Sequence, residues 1–217
     1  APPPKQDPGH AHLFSPTGFL DDSGWHRTYW MYGSDFYSGW SGFFTAGKVT
    51  PAGKIMVFDE KNVYGFGRLP QYWRWTTPME FHMFSVSRGK VGEMKVGPTR
   101  RRRKGGPAPK KQAPGYTWTK RYPVLARAMC KAGDTIFIAG PADVLDETRA
   151  SPAEIREQEE RWEGKDGTVL MAVSAGDGSV ESSQKVDAVP VFDGLIAAHG
   201  RLYMVTIGGR ILVFEAE

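Results

Sequence analysis

The chain of 217 residues holds one cysteine, Cys130, so no disulfide closes within it. Its flanks, Ala-Met-Cys-Lys-Ala, have the look of a strand, and no base stands near it in sequence, so it reads as a buried structural thiol rather than a nucleophile. No apolar run approaches the roughly 18 residues that a membrane-crossing helix needs. No G-x-S-x-G, Walker, Rossmann, H-E-x-x-H or C-x-x-C pattern is present, which leaves hydrolase, nucleotide and zinc chemistry without their usual sequence signals. No signal-peptide pattern opens the chain. It begins Ala-Pro-Pro-Pro without an initiator Met, as expected of a processed or excised piece.

What is abundant is glycine (26), proline (16) and aromatics (7 Trp, 8 Tyr, 12 Phe). That mixture suits short strands joined by tight turns better than a helical bundle. Net charge is +4, but Arg100, Arg101, Arg102, Arg103, Lys104, Lys110 and Lys111 contribute +7, so the rest of the chain sums to 4 − 7 = −3. The basic character therefore belongs to one loop, residues 98–115, whose low-complexity sequence cannot pack a core. It reads as a solvated loop. The alternative is a polyanion or nucleic-acid patch on Arg100–Lys104, although no aromatic interleaves the arginines.

Residues 1–12 are polar and Pro-rich and read as an extended arm. His10 and His12 form an H-x-H pair with no third metal ligand in sight; solvated histidines are the plainer reading. Residues 13–46 are the most aromatic stretch, either a thick core between sheets or a stacking surface for sugars or bases. Within it Asp21, Asp22, His26 and Arg27, with Trp30 and Trp40 near, form the candidate ligand-binding cluster. The competing reading is a turn with its own hydrogen bonds and one ion pair. Asp143, Asp146 and Glu147 crowd a later loop without the spacing of a calcium loop. No catalytic set and no metal site are identified.

Strands are expected at 55–58 and 62–66 around an Asp59–Lys61 turn, then at 80–87, 116–121, 124–130 and 135–139. Ser151, Pro152 and Glu154 form a capping signal for a surface helix running to about Glu163 and stopping at Gly164. The last fifty residues hold four apolar runs, 168–174, 194–198, 201–206 and 210–214, punctuated by Asp177-Gly178, His199-Gly200 and Gly208-Gly209. They read as one four-stranded antiparallel meander, the size of a propeller blade. Asp193-Gly194 reads as a turn.

The order strand, Asp177-Gly178 turn, strand, Pro-Val-Phe-Asp-Gly (190–194), Gly-Arg-Leu-Tyr (200–203) and Gly-Arg-Ile-Leu-Val-Phe (209–214) resembles a blade of the PQQ-like, quinoprotein-type β-propeller repeat. Residues 12–22, 26–33, 63–68 and 138–147 resemble the C-terminal part of a large bacterial subgroup of those proteins. The resemblance implies an all-β fold: about three four-stranded blades, near 27–68, 79–141 and 167–217, after a lead-in over 1–26. Three blades are part of a seven- or eight-bladed ring, so the remaining blades are expected on a separate chain or a lost part of the same polypeptide. The subgroup implies a periplasmic or extracellular setting.

Quinoprotein dehydrogenases hold PQQ with an adjacent cysteine pair, a stacking Trp and a calcium site. This chain has one cysteine, and nothing in it maps onto the calcium ligands. PQQ or calcium would need residues outside it. The expected function is a non-catalytic scaffold or binding module, with part of a dehydrogenase or a glycan-active enzyme as the alternative.

Overall fold

A computed structural model describes residues 11–15, 30–33, 46–47, 50–68, 81–89, 115–146 and 149–215. Among them are fourteen strands: β1 (His12–Phe14), β2 (Trp30–Gly33), β3 (Ala52–Gly53), β4 (Ile55–Phe58), β5 (Asn62–Arg68), β6 (Phe81–Ser87), β7 (Tyr116–Lys120), β8 (Ala128–Ala132), β9 (Thr135–Gly140), β10 (Thr168–Ser174), β11 (Val180–Val186), β12 (Pro190–Ala198), β13 (Arg201–Thr206) and β14 (Ile211–Glu215). They form four antiparallel sheets: I, β1-β2-β3; II, β4-β5-β6-β7; III, β8-β9-β10-β11; and IV, β12-β13-β14. Among the described residues the fold is all-β with one well-formed helix, α1 (Pro152–Glu163).

Local chemistry explains the hairpins. The Asp59 carboxylate accepts the Lys61 and Asn62 N–H groups at 2.8 and 2.7 Å and fixes the β4–β5 turn. His199 and Gly200 carry φ of 51° and 73° between paired Ala198 and Arg201, the two-residue loop whose twist matches the strands. The helix forms where its capping signal lies. Ser151 Oγ accepts from the Glu154 N–H, the Glu154 carboxylate accepts from the Ser151 N–H, and Gly164 ends the helix.

The strands group differently from the expected blades. The stretch 167–217 is not one meander: β10 and β11 complete sheet III with β8 and β9, and β12–β14 form sheet IV. Likewise 79–141 divides between sheets II and III, and 27–68 between I and II. The cause is β9. It pairs with β10 from Val169↔Gly140 to Ser174↔Thr135, across the excursion that carries α1. An inserted helix separates two adjacent strands in sequence, and contiguity then misassigns them.

The sheets stack face to face. Ile55, Tyr64 and Phe66 of sheet II pack on Met129, Ile136, Ile138, Met171 and Val173 of sheet III. The opposite face of III, with Ala128, Ala139 and Leu170, packs on Leu195, Leu202 and Met204 of IV. Tyr32 of sheet I joins Val63, Phe84 and Val86 of II. Each fully buried large side chain in these layers contributes about 1.5–3 kcal/mol. The first strands lie side by side, β8 touching both β4 and β12.

Candidate functional site

Two places stand out, one at the first strands and one at the far end of the stack. The first follows from how sheets II and III begin. Lys54 N–H donates to the Phe66 carbonyl (2.7 Å), and Arg127 N–H donates to the Ala139 carbonyl (2.8 Å), each just ahead of a first strand. Gly67 and Gly140 occupy matching positions beyond those acceptors. A Cβ on either would overlap a backbone carbonyl, that of Ala52 or of Leu125. Lys54 and Arg127 are thus structural equivalents, and each is 5% exposed.

Both cations meet one ring. Lys54 Nζ lies 5.1 Å from the Trp162 ring centre and 5.8 Å from that of Phe192, and Arg127 Cζ lies 4.6 Å from Trp162. Arg127 also donates from Nη1 to the Trp162 carbonyl at 2.8 Å. Helix α1 holds the indole in place. Its Gln158 is buried, accepts the Val144 N–H at 3.0 Å and donates to the Ala142 carbonyl at 3.0 Å. Desolvated cations over an indole face gain up to about 2 kcal/mol each. The cluster therefore joins sheets II and III and the helix at one point.

Sheet IV adds Asp193, whose N–H donates to the Arg127 carbonyl at 2.8 Å. Asp193 has φ of 56° within β12, where the ladder slips between Pro190 and Leu195. The expected turn at Asp193-Gly194 is a bulge inside a strand. Burial pushes the Asp193 carboxyl up from its ordinary value. Burial, and then the Asp193 charge, push the Cys130 thiol up to about 11, so it stays protonated at neutral pH. Cys130 lies in β8 and is half-buried, in keeping with a structural thiol.

The second place is the outer face of sheet IV. The rows Ile196↔Tyr203↔Val213 and Val205↔Ile211 put these five side chains on one face. Ile196 is 59% exposed, Ile211 65% and Val213 50%. The other face, with Leu195, Leu202 and Met204, is the one buried on sheet III. Between sheets III and IV a cleft of about 560 Å³ opens beside the β8–β9 and β12–β13 turns. Its walls include Phe137, Leu170, Leu202 and Phe214; its rim includes Gln184 and His199.

Trp30 is half-buried in β2, its Cα opposite Gly53. Asp21, Asp22, His26, Arg27, Trp40 and Arg100–Lys104 lie outside the described residues. His12 is exposed in β1. The Asp143 carboxyl accepts the Leu145 N–H (3.4 Å), and burial raises its pKa. Among the described residues no three His, Cys, Asp or Glu side chains gather as metal ligands. Nor is any described helix long and apolar enough to cross a membrane. The Lys54–Trp162–Arg127 cluster is absent from the sequence-level candidates. Its one signal is a basic residue just ahead of the first strand of sheets II and III, each facing a glycine at or next to the end of the second strand (Gly67 in β5, Gly140 in β9).

Comparison with protein-family models finds no match, and comparison with curated proteins finds none either.

Proposed function

We propose that this chain is a non-catalytic segment of a PQQ-like β-propeller that serves as scaffold or binding module within a larger bacterial protein or complex. One observation carries the reading: sheets II, III and IV stack through equivalent positions while their first strands lie side by side. Radial stacking of antiparallel meanders about their first strands is how propeller blades are arranged. The repeat-like motif order within 167–217 supports the same reading, although it runs across two sheets rather than filling one blade. So does the Lys54–Trp162–Arg127 joint, which links hydrophobic layers and leaves the cations 5% exposed. The test is spectroscopic and kinetic. The native complex as purified is expected to show no quinone absorption, and after addition of PQQ with alcohols or sugars it is expected to show no turnover. Turnover that disappears when Asp21, Asp22 or His26 is replaced would overturn it.

A further inference from the structure

The ladder registers make the stack self-similar. The closing pair of the β8–β9 hairpin is Ala132↔Thr135, and that of β12–β13 is Ala198↔Arg201. Counting back from these pairs, Cys130↔Phe137 in sheet III corresponds to Ile196↔Tyr203 in sheet IV. Ala128 and Ala139 correspond to Gly194 and Val205. The face of III that carries Ala128, Cys130, Phe137 and Ala139 is the one that sheet IV covers. Val57↔Tyr64 and Ile55↔Phe66 hold the same position in sheet II, and sheet III covers them. The same face is therefore covered twice within the chain and open the third time, at Ile196, Val205, Ile211 and Val213.

The sequence of sheet IV agrees. Leu195-Ile196-Ala197, Leu202-Tyr203-Met204-Val205 and Ile211-Leu212-Val213-Phe214 are continuous apolar runs, not alternating ones. Continuous runs mark strands buried on both faces, whereas a strand with one wet face alternates. The edge of the sheet is open as well. Sheets II and III have four strands and sheet IV three, so β14 keeps one unpaired edge among the described residues. Unpaired edges next to apolar faces are templates for strand addition.

We infer that the outer face of sheet IV is the seat of a partner polypeptide's antiparallel β-sheet, which lays aliphatic side chains over Ile196, Val205 and Val213. This rests on the propeller reading, because the occupant is assigned by continuity with the two sheet-on-sheet interfaces already inside the chain. The occupant presents the counterpart of Leu195, Leu202 and Met204: a row of Leu- or Met-sized residues on its first two strands.

The photoreactive residue p-benzoylphenylalanine tests this when placed at position 196, 213 or, as an exposed control on a loop, 144 of the full chain and irradiated in the cells that make it. Positions 196 and 213 are expected to cross-link to strand segments of one other polypeptide, in at least about tenfold higher yield than position 144. In the same cells Val213→Asp is expected to release that polypeptide on size-exclusion chromatography, while Val144→Asp keeps it. Thermal unfolding of both variants shows whether the chain itself stays folded. Ile196→Thr is the milder substitution if Val213→Asp unfolds, and it is expected to weaken retention at least threefold. Cross-links back into this chain, to a second copy, to lipid or to nucleic acid would overturn the inference, as would equal yields at all three positions. A ring of sheets in the native particle without cross-links at 196 and 213 would sink this inference alone. Cross-links to a sheet in a particle that is no ring would sink the propeller reading alone.

Discussion

Protonation of His82 should unfold the joint between β6 and β7. The imidazole is 2% exposed, with Nδ1 2.6 Å from Thr119 Oγ1 and with Phe84 and Tyr116 rings at 5.4 and 5.5 Å. Its Nε2 reaches no partner among the described residues. Desolvation lowers its pKa to about 4, against about 6.5 for a free side chain. The unfolded chain therefore takes up the proton first as pH falls. Stability is complete above about pH 6.5, declines between 6.5 and 4, and levels off below. A gap of about 2.5 pKa units at 1.36 kcal/mol each is about 3 kcal/mol in all, of which about 2 kcal/mol is gone at pH 5. With a urea slope of roughly 2–3 kcal/mol per molar for a chain of this size, the midpoint should fall by roughly 0.7–1 M between pH 7.5 and pH 5. The assay is urea unfolding followed by tryptophan fluorescence at both pH values, on the wild type and His82→Phe. Other groups titrate in this range, so the quantity that matters is the difference between the two proteins. His82→Phe should lack the drop. Equal drops in both would refute the assignment of a buried neutral imidazole.

Three further outcomes follow from the same geometry. Gly140→Ala should cost about 3 kcal/mol in urea unfolding, because its Cβ would overlap the Leu125 carbonyl and backbone cannot step aside; Gly115→Ala, with open space around it, should stay within about 0.5 kcal/mol. Trp162→Phe should keep part of the cation joint, and Trp162→Leu should be less stable than Trp162→Phe by about 1–2 kcal/mol, since an aliphatic side chain offers Lys54 and Arg127 no π face. Equal stabilities of the two variants would show that volume alone matters there. Ser151→Ala should lower stability by about 1 kcal/mol through loss of the cap, read from the same unfolding curves.

Legibility in the sequence tracked the range of the interaction. The helix was readable because its signal is contained in Ser151–Glu154, and the hairpins because Asp59 and His199-Gly200 act within a few residues. The sheet grouping was not readable, because β9 and β10 are joined by pairing across an insertion and nothing in either strand encodes that distance. Strand β11 is legible from the repeat order, which puts a strand after Asp177-Gly178, but not from hydrophobic runs. Its sequence, Val-Glu-Ser-Ser-Gln-Lys-Val, is mostly exposed and carries no apolar run. The joint at Trp162 was hidden by chemistry. A basic residue ahead of a strand looks solvent-facing until a helix some 35 residues away lays an indole over it. The cluster around Asp21 and His26 remains a sequence-level candidate only.

Under the propeller proposal, sheets I to IV are consecutive sectors of one ring of sheets. Electron cryomicroscopy of the native particle tests it most directly. A closed ring of seven or eight sheets is expected, with β4, β8 and β12 among the strands nearest its axis and a further sheet resting on Ile196 and Val213. A particle in which these sheets stand without a ring, with the outer face of sheet IV in solvent, would contradict it.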